Sequence, residues 1–438
     1  MPLIVITLGI LLLFFLILVV RLNAFIAFIL VGITIGIGQG MEPNSIVESV
    51  EIGIGNTLGF LVMILGLGAM LGKLVAESGA AQKITNVLIE IFGVSNTRIA
   101  VMLTGFIVGI TMFYSVGFVI LVPLVFSVAS ATGLSLISIA LPMLAALSVT
   151  HGFLPPHPAP SALSVMFEAD IGKTLVYGII ISIPVILISG PFLTHFIPKV
   201  EAKPLKEFMA TKIFLEDELP SFLNSILTAL LPVILITFST LILNFLNIEG
   251  VFFSIIKFIG NPVIALLLTV LVGTYTLGIS RGLSMDEVMK IFGKAVSGIT
   301  MILLIIAGAG SLKQILVDSG VSDYIANLLQ ITSMSPLIIG WLIATLIRFS
   351  VGSATVAGLT TAGIVLPLVK STGVSPELMV LSIGSGSLML SHINDSGFWL
   401  FKEYFNLNVK ETLSTWTVME TSIGISGLVG VLILNQFV

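Results

Sequence analysis

The chain has 438 residues, 57% of them hydrophobic and only 9% charged, with a formal net charge of −4 and a mean hydropathy of +1.19. A soluble domain carries about 25% charged residues, so most of this polypeptide is built to sit in lipid, and its length fits roughly ten to twelve spans with no large soluble domain. No basic patch suits a nucleic acid, and the absence of cysteine excludes disulfides, thiolate metal sites and cysteine nucleophiles.

Apolar runs near 3–20, 24–40 and 56–76 open the chain. The first is flanked by Arg21 without a small-residue cleavage signal, which reads as a retained helix rather than a signal peptide. Segment 98–131 carries a small-residue tip at Ser115-Val-Gly117. Arms of about 15 residues on either side reach about 22 Å, short of a ~30 Å hydrocarbon core. That predicts a re-entrant hairpin. A run at 135–150 leads into His151-Gly-Phe-Leu-Pro-Pro-His-Pro-Ala-Pro160. Proline removes a backbone donor and clashes with the preceding turn, so the helix breaks at 151–160. Broken backbone at membrane depth survives only in protein or along a wet cavity, which makes it a candidate binding site. A run at 172–197 closes the first half. Glu168 and Asp170 are read as caps for its start.

Residues 198–221 are the most charged stretch and read as a solvated cytoplasmic linker. The second half, 222–438, repeats the first, 1–197: runs near 222–246, 262–280 and 297–317, a hairpin at 336–370 with its tip at Ser350-Val-Gly-Ser353, a run at 376–391 broken at 392–397, and a run at 415–437. Glu77-Ser-Gly79 matches Asp318-Ser-Gly320, and His151 and His392 stand the same 241 residues apart as Ser78 and Ser319. Several matches in one order point to an internal duplication. Five crossings per half, an odd number, make the halves inverted. The fold class is thus all-α and polytopic, with two inverted repeats, each of about five spans, one hairpin and one broken helix. Basic residues Lys73, Lys83 and Arg98 place their connection in the cytoplasm and both termini outside.

The candidate functional residues cluster at the breaks and tips. His151 and His157 are imidazoles for substrate or a coupling proton, or they satisfy loose carbonyls. Asp395 is a proton carrier or a helix cap, with His392 and Asn394 beside it. Arg348, two residues before the second tip, offers a planar fork to a carboxylate, or pairs with an internal acid. Ser115, Gly117, Ser350, Gly352, Ser353 and Thr355 sit where helix N-termini would aim free N–H groups at an anion, or merely permit close packing. Nothing resembles a Walker A loop, an HExxH pair or a GxSxG elbow, so no cofactor or metal is called for. An intramembrane enzyme would gather its polar groups in one half. Here both halves share them, which favours transport.

Thr150-His-Gly-Phe-Leu-Pro-Pro-His-Pro158, Leu316-Val-Asp-Ser-Gly320, Val351-Gly-Ser-Ala-Thr-Val-Ala357 and His392-Ile-Asn-Asp395 with the following Gly-Phe-Trp-Leu-Phe-Lys-Glu-Tyr-Phe405 resemble the gluconate permease family of proton symporters over essentially the whole chain. The resemblance implies a bacterial inner-membrane symporter of the ion-transporter superfamily type, a homodimer carrying gluconate or a related small sugar acid with protons. D-serine as substrate and sodium as coupling ion are the alternatives. Ala159-Pro160-Ser161 stands where Gly-Pro-Thr is frequent in the family, and Ser115 where an acid is frequent, which removes one possible proton carrier.

Overall fold

A computed structural model describes residues 2–198, 200–202, 214–246, 249–320, 334–393 and 395–438. Among these the fold is all-α, without a strand. Eight helices are long and apolar enough to cross a membrane.

The scaffold is a pair of long helices, Pro43–Glu77 and Met285–Asp318, with Ala24–Gly38 laid alongside. The pair meets backbone to backbone: a Cβ on Gly53 would run into the Gly310 carbonyl, and one on Gly310 into Thr57. Close approach of this kind is what small residues permit between helices in lipid. Ser49 donates to Asp318 at 2.6 Å across the same seam.

Both long helices start earlier than their apolar cores at 56–76 and 297–317 predict. In the first, Glu48 and Glu51 are exposed while Ile46, Ser49 and Gly53 are buried. The acids therefore mark the polar face of a helix already under way before the apolar run begins. Two further helices, Ala80–Phe92 and Gly250–Ile259, also stand outside the predicted runs. Ala80–Phe92 is amphipathic, with Ile84 and Leu88 buried and Ile91 exposed.

The same series follows each long helix. Gly79 and Gly320, at φ 80 and 72, turn the chain after the two long helices, and Gly133 and Gly373, at φ 67 and 68, end the two hairpins. A left-handed residue at a helix end favours glycine. The first hairpin is Thr97–Gly109 and Tyr114–Thr132; the second is Pro336–Val351 and Ala354–Thr372. In each half the first arm packs on the helix that runs into the break: Thr97–Gly109 on Leu136–Phe153, and Pro336–Val351 on Pro376–Gly386. Ala354–Thr372, at 19 residues, is by length and composition alone long enough to span.

The first tip lies four residues from where the sequence puts it. The turn is at 110–113 and Ser115-Val-Gly117 already belongs to the second arm. Ser350-Val351, by contrast, ends the first arm of the second hairpin. The two Ser-Val-Gly strings are therefore not structurally equivalent, although the hairpins are alike in build. The physical reason is that Tyr114 and Ser115 are tolerated in a first helical turn, so the small residues do not force the bend there.

The first broken helix comprises Leu136–Phe153 and Pro158–Phe167. It is almost wholly buried and forms the centre of the protein, whereas Phe222–Leu243 is largely exposed. The second break separates Pro376–Gly386 from Ser396–Tyr404. A final helical stretch, Val409–Leu434, packs on both Pro376–Gly386 and Ile171–Leu187. Asp170 caps Ile171–Leu187, accepting from the Lys173 amide at 2.8 Å.

Candidate functional site

A polar cavity of about 390 Å³ lies where both hairpins, both broken helices and the last helix meet. Its lining includes Tyr114, Ser148, His151, Arg348, Asp395 and Glu420. The volume is within the roughly 300–1,000 Å³ typical of small-molecule sites.

Four helices begin at this cavity: Tyr114–Thr132, Pro158–Phe167, Ala354–Thr372 and Ser396–Tyr404. Tyr114, Pro158, Ala354, Thr355, Ser396 and Gly397, from their first turns, are on its wall. A helix N-terminus carries roughly half a positive charge. Four of them aimed at one space make it receptive to an anion.

Arg348 is 3% exposed and its guanidinium is committed on two sides. One terminal nitrogen donates to the Gly352 carbonyl and the other pairs with Asp395 Oδ2. Gly352 is left-handed at φ 80, which turns its carbonyl back toward the arginine at the end of the arm. Arg348 Nε is buried without a partner. Asp395 also accepts from the Ser391 hydroxyl and, at 3.0 Å, from the Gly397 amide. It is the cap of Ser396–Tyr404, one of the two roles read for it in the sequence. Trp416 Nε1 donates to Ser391 at 2.7 Å, tying the last helix to this network.

On the other wall the rings of Tyr114 and His151 lie 6.0 Å apart and those of His151 and His157 5.5 Å apart. His151 lines the cavity. His157 is held away from it: its Nε2–H donates to the Gly109 carbonyl at 2.7 Å, stapling the broken helix to the end of the first hairpin arm. Glu420 comes from the last helix. It is 2% exposed, accepts from Ser148 through one carboxyl oxygen, and leaves the other without a partner.

Of the residues singled out from sequence, His151, Arg348, Gly352, Ser353, Thr355 and Asp395 are brought together at the cavity. Gly117 instead packs against Leu147, and the Ser350 hydroxyl donates to Leu346. His392 lies off the lining, its Nε2 donating to the Phe349 carbonyl at 3.0 Å and its ring 4.8 Å from that of Phe349. Asn394 and the side chain of Ser115 fall outside the described residues. Sequence reasoning missed Ser148, Trp416 and Glu420. The signal for Glu420 was present, because it is the one acid within the apolar run 415–437, and an ionisable residue in such a run marks a functional position by default.

A polytopic helical protein whose two hairpins and two helix breaks enclose one central polar cavity is a membrane transporter. Solved structures agree on the fold: the Alcanivorax borkumensis YdaH transporter matches with a TM-score of 0.67 at 17% identity, covering 94% of this chain and 97% of that one. Neisseria gonorrhoeae MtrF, described as one of a class of antimetabolite efflux pumps, matches with a TM-score of 0.67 at 15% identity, over 93% and 94%. The model of the GntP family permeases matches residues 1–438, and the chain belongs to that family. It is 48% identical to the Gnt-II system L-idonate transporter of Escherichia coli K12 over 99% of both chains. It is 47% identical to a high-affinity gluconate transporter of the same strain and 45% identical to a gluconate permease of Bacillus subtilis 168, each over 100% of both chains. The protein is thus a multi-pass permease of the bacterial inner membrane, and not an enzyme.

Proposed function

We propose that the protein takes up gluconate or a closely related sugar acid together with protons. The observation that carries this reading is the convergence of four helix N-termini on one polar cavity that also holds Arg348. The carboxylate of the substrate sits among the helix ends, and its hydroxyls meet Ser148, Ser353 and Thr355. The similarity to gluconate and L-idonate carriers supports the same substrate class.

Protons are the coupling ion in this reading for an electrical reason. Moving one charge against the membrane potential costs about 2.3 kcal/mol per 100 mV. One accompanying proton cancels that penalty for an anion, and two let the potential drive uptake. The recurring series of long helix, hairpin, broken helix and closing helix is read as two inverted repeats, 1–197 and 222–438, rocking about the cavity. The homodimer belongs to this proposal and is tested by mass measurement in detergent.

Labelled gluconate uptake into proteoliposomes under an imposed pH gradient tests the function. Accumulation that collapses with a protonophore and survives replacement of sodium by choline is the expected result. Uptake no greater than in empty vesicles, or indifferent to the gradient, would sink the reading. Competition by idonate and D-serine ranks the substrates.

A further inference from the structure

We infer that Glu420 is the side chain that carries the coupling proton. The inference rests on the proton-coupled reading above and deepens it by naming the group.

The charges around the cavity do not balance in pairs. Among the described residues Arg348 is the only arginine or lysine on the lining, and it is already joined to Asp395. Asp395 has its oxygens occupied by Arg348, Ser391 and the Gly397 amide. It cannot take a proton without opening the ion pair at Oδ2 or uncapping Ser396–Tyr404 at Oδ1. His392 is off the lining, and His157 is engaged with Gly109. His151 lines the cavity with Nδ1 unpartnered, but it is neutral without its proton and sets up no charge conflict with an anionic substrate; Glu420 does. Its contact with Ser148 uses one oxygen and the second has no partner, and among the described lining residues the one arginine is already paired with Asp395. A proton can therefore arrive at or leave that oxygen without breaking any structural contact. The titratable and charged groups that face it are Tyr114, His151, Arg348 and Asp395. Lys173, Tyr177 and Glu377, on helices packed against the same segment, stand in the first two turns of those helices and off the cavity wall.

Position supplies the coupling. A substrate carboxylate drawn in by the helix N-termini shares one small cavity with the Glu420 carboxyl. An uncompensated second anion in a dry site is costly, so an ionised Glu420 repels the substrate and a protonated one admits it. Anion and proton then bind together and leave together. The reaction is a proton transfer only: hydronium gives its proton to Glu420 Oε2 on the loading side, leaving water, and water takes that proton as hydronium on the release side.

The test uses the full-length protein in proteoliposomes. Glu420→Gln fixes the neutral form. In one pH unit of gradient, one proton per substrate supports about tenfold accumulation. With wild-type protein first shown to be gradient-driven, Glu420→Gln is expected to lower that ratio to about one. Exchange of internal for external gluconate, measured without a gradient, should persist at a measurable rate and lose its dependence on pH. Gradient-driven accumulation at the wild-type ratio in Glu420→Gln would overturn the assignment. So would loss of coupling in His151→Gln with coupling intact in Glu420→Gln. If Glu420→Gln abolishes exchange as well, Glu420→Asp decides. A displaced pH profile of uptake upholds the proposal and a wild-type profile removes it. Wild-type uptake indifferent to the gradient would instead defeat the proton reading itself, before Glu420 enters.

Discussion

Arg348 and Asp395, 47 residues apart in sequence, form a buried ion pair that joins the second hairpin to the second broken helix. Arg348 is 3% exposed and Asp395 13%, so both are largely withdrawn from water and each depends on the other and on the polar atoms around it. Gly352 completes the arginine's set, and Ser391 and Gly397 complete the aspartate's. A pair of this kind adds little compared with apolar packing, but removing one partner strands the other, at about 3–5 kcal/mol. Arg348→Ala and Asp395→Asn should each lower the melting temperature in detergent markedly. The double variant should be destabilised by much less than the sum, because no stranded charge remains. Additive losses in a double-mutant cycle would show that the two side chains do not hold each other.

The scaffold seam gives a prediction with its own control on one helix. An added methyl on Gly53 meets the Gly310 carbonyl and the backbone of Ser311, whereas one on Gly55 meets nothing within 4 Å. Gly53→Ala should cost about 1–3 kcal/mol through forced separation of the long helices. Gly55→Ala should be neutral or gain up to about 1 kcal/mol from helix propensity. Thermal melts of the two purified variants make the comparison, and equal melting points would contradict the close crossing.

The two histidines of the first break have separable roles. His157 fills the acceptor capacity of the Gly109 carbonyl at the end of a helix arm. His157→Ala leaves that buried carbonyl unpaired and should cost about 1–3 kcal/mol of stability. His151 faces the cavity, with its Nδ1 making no hydrogen bond. His151→Gln should change the KM for gluconate with a much smaller change in melting temperature. The reverse pattern, with stability lost at His151 and transport at His157, would exchange the assignments.

What the sequence made legible follows from how local each signal is. The breaks at Pro155-Pro156 and around Asp395 were readable because proline and polar residues in an apolar run are incompatible with an unbroken helix. Arg348 and Gly352 were readable one by one, as a charge in an apolar run and as a small-residue tip. The pairing of Arg348 with Asp395 was not, since nothing in their spacing says that a hairpin end meets a helix cap. The first tip was misplaced because small residues permit a bend without requiring one, and the chain turns at 110–113 instead. The early start of Pro43–Glu77 was hidden because Glu48 and Glu51, on the wet face of its first turns, lie outside the apolar run 56–76. Glu420 was passed over because a single acid leaves a run of apolar residues looking like any other span.

The linker offers a last prediction, and one that titrates in water. Phe214 exchanges two hydrogen bonds with the Gln82 side chain, at 2.9 and 3.0 Å. Glu216 pairs with Lys83, and Arg281 donates to the Glu218 carbonyl at 2.7 Å. The described end of the linker is thus laid on the turn that follows the first long helix. The hydrogen bond from Lys83 holds the Glu216 carboxyl below its ordinary value. A group whose folded value is depressed stabilises the docked form above its ordinary value, and that contribution fades as pH falls through the lowered one. Docking should therefore be constant across neutral pH and weaken only in the acid range below about 4.3, the usual glutamate value. Exchange of the Phe214 amide, measured by mass spectrometry, should quicken there in the wild type. In Glu216→Gln it should already be faster at neutral pH and no longer respond to acid in this range. Salt should act in the same direction, because an exposed pair is screened over about 8–10 Å. An amide equally protected in both proteins at every pH would mean that the Lys83–Glu216 contact does not hold the linker down.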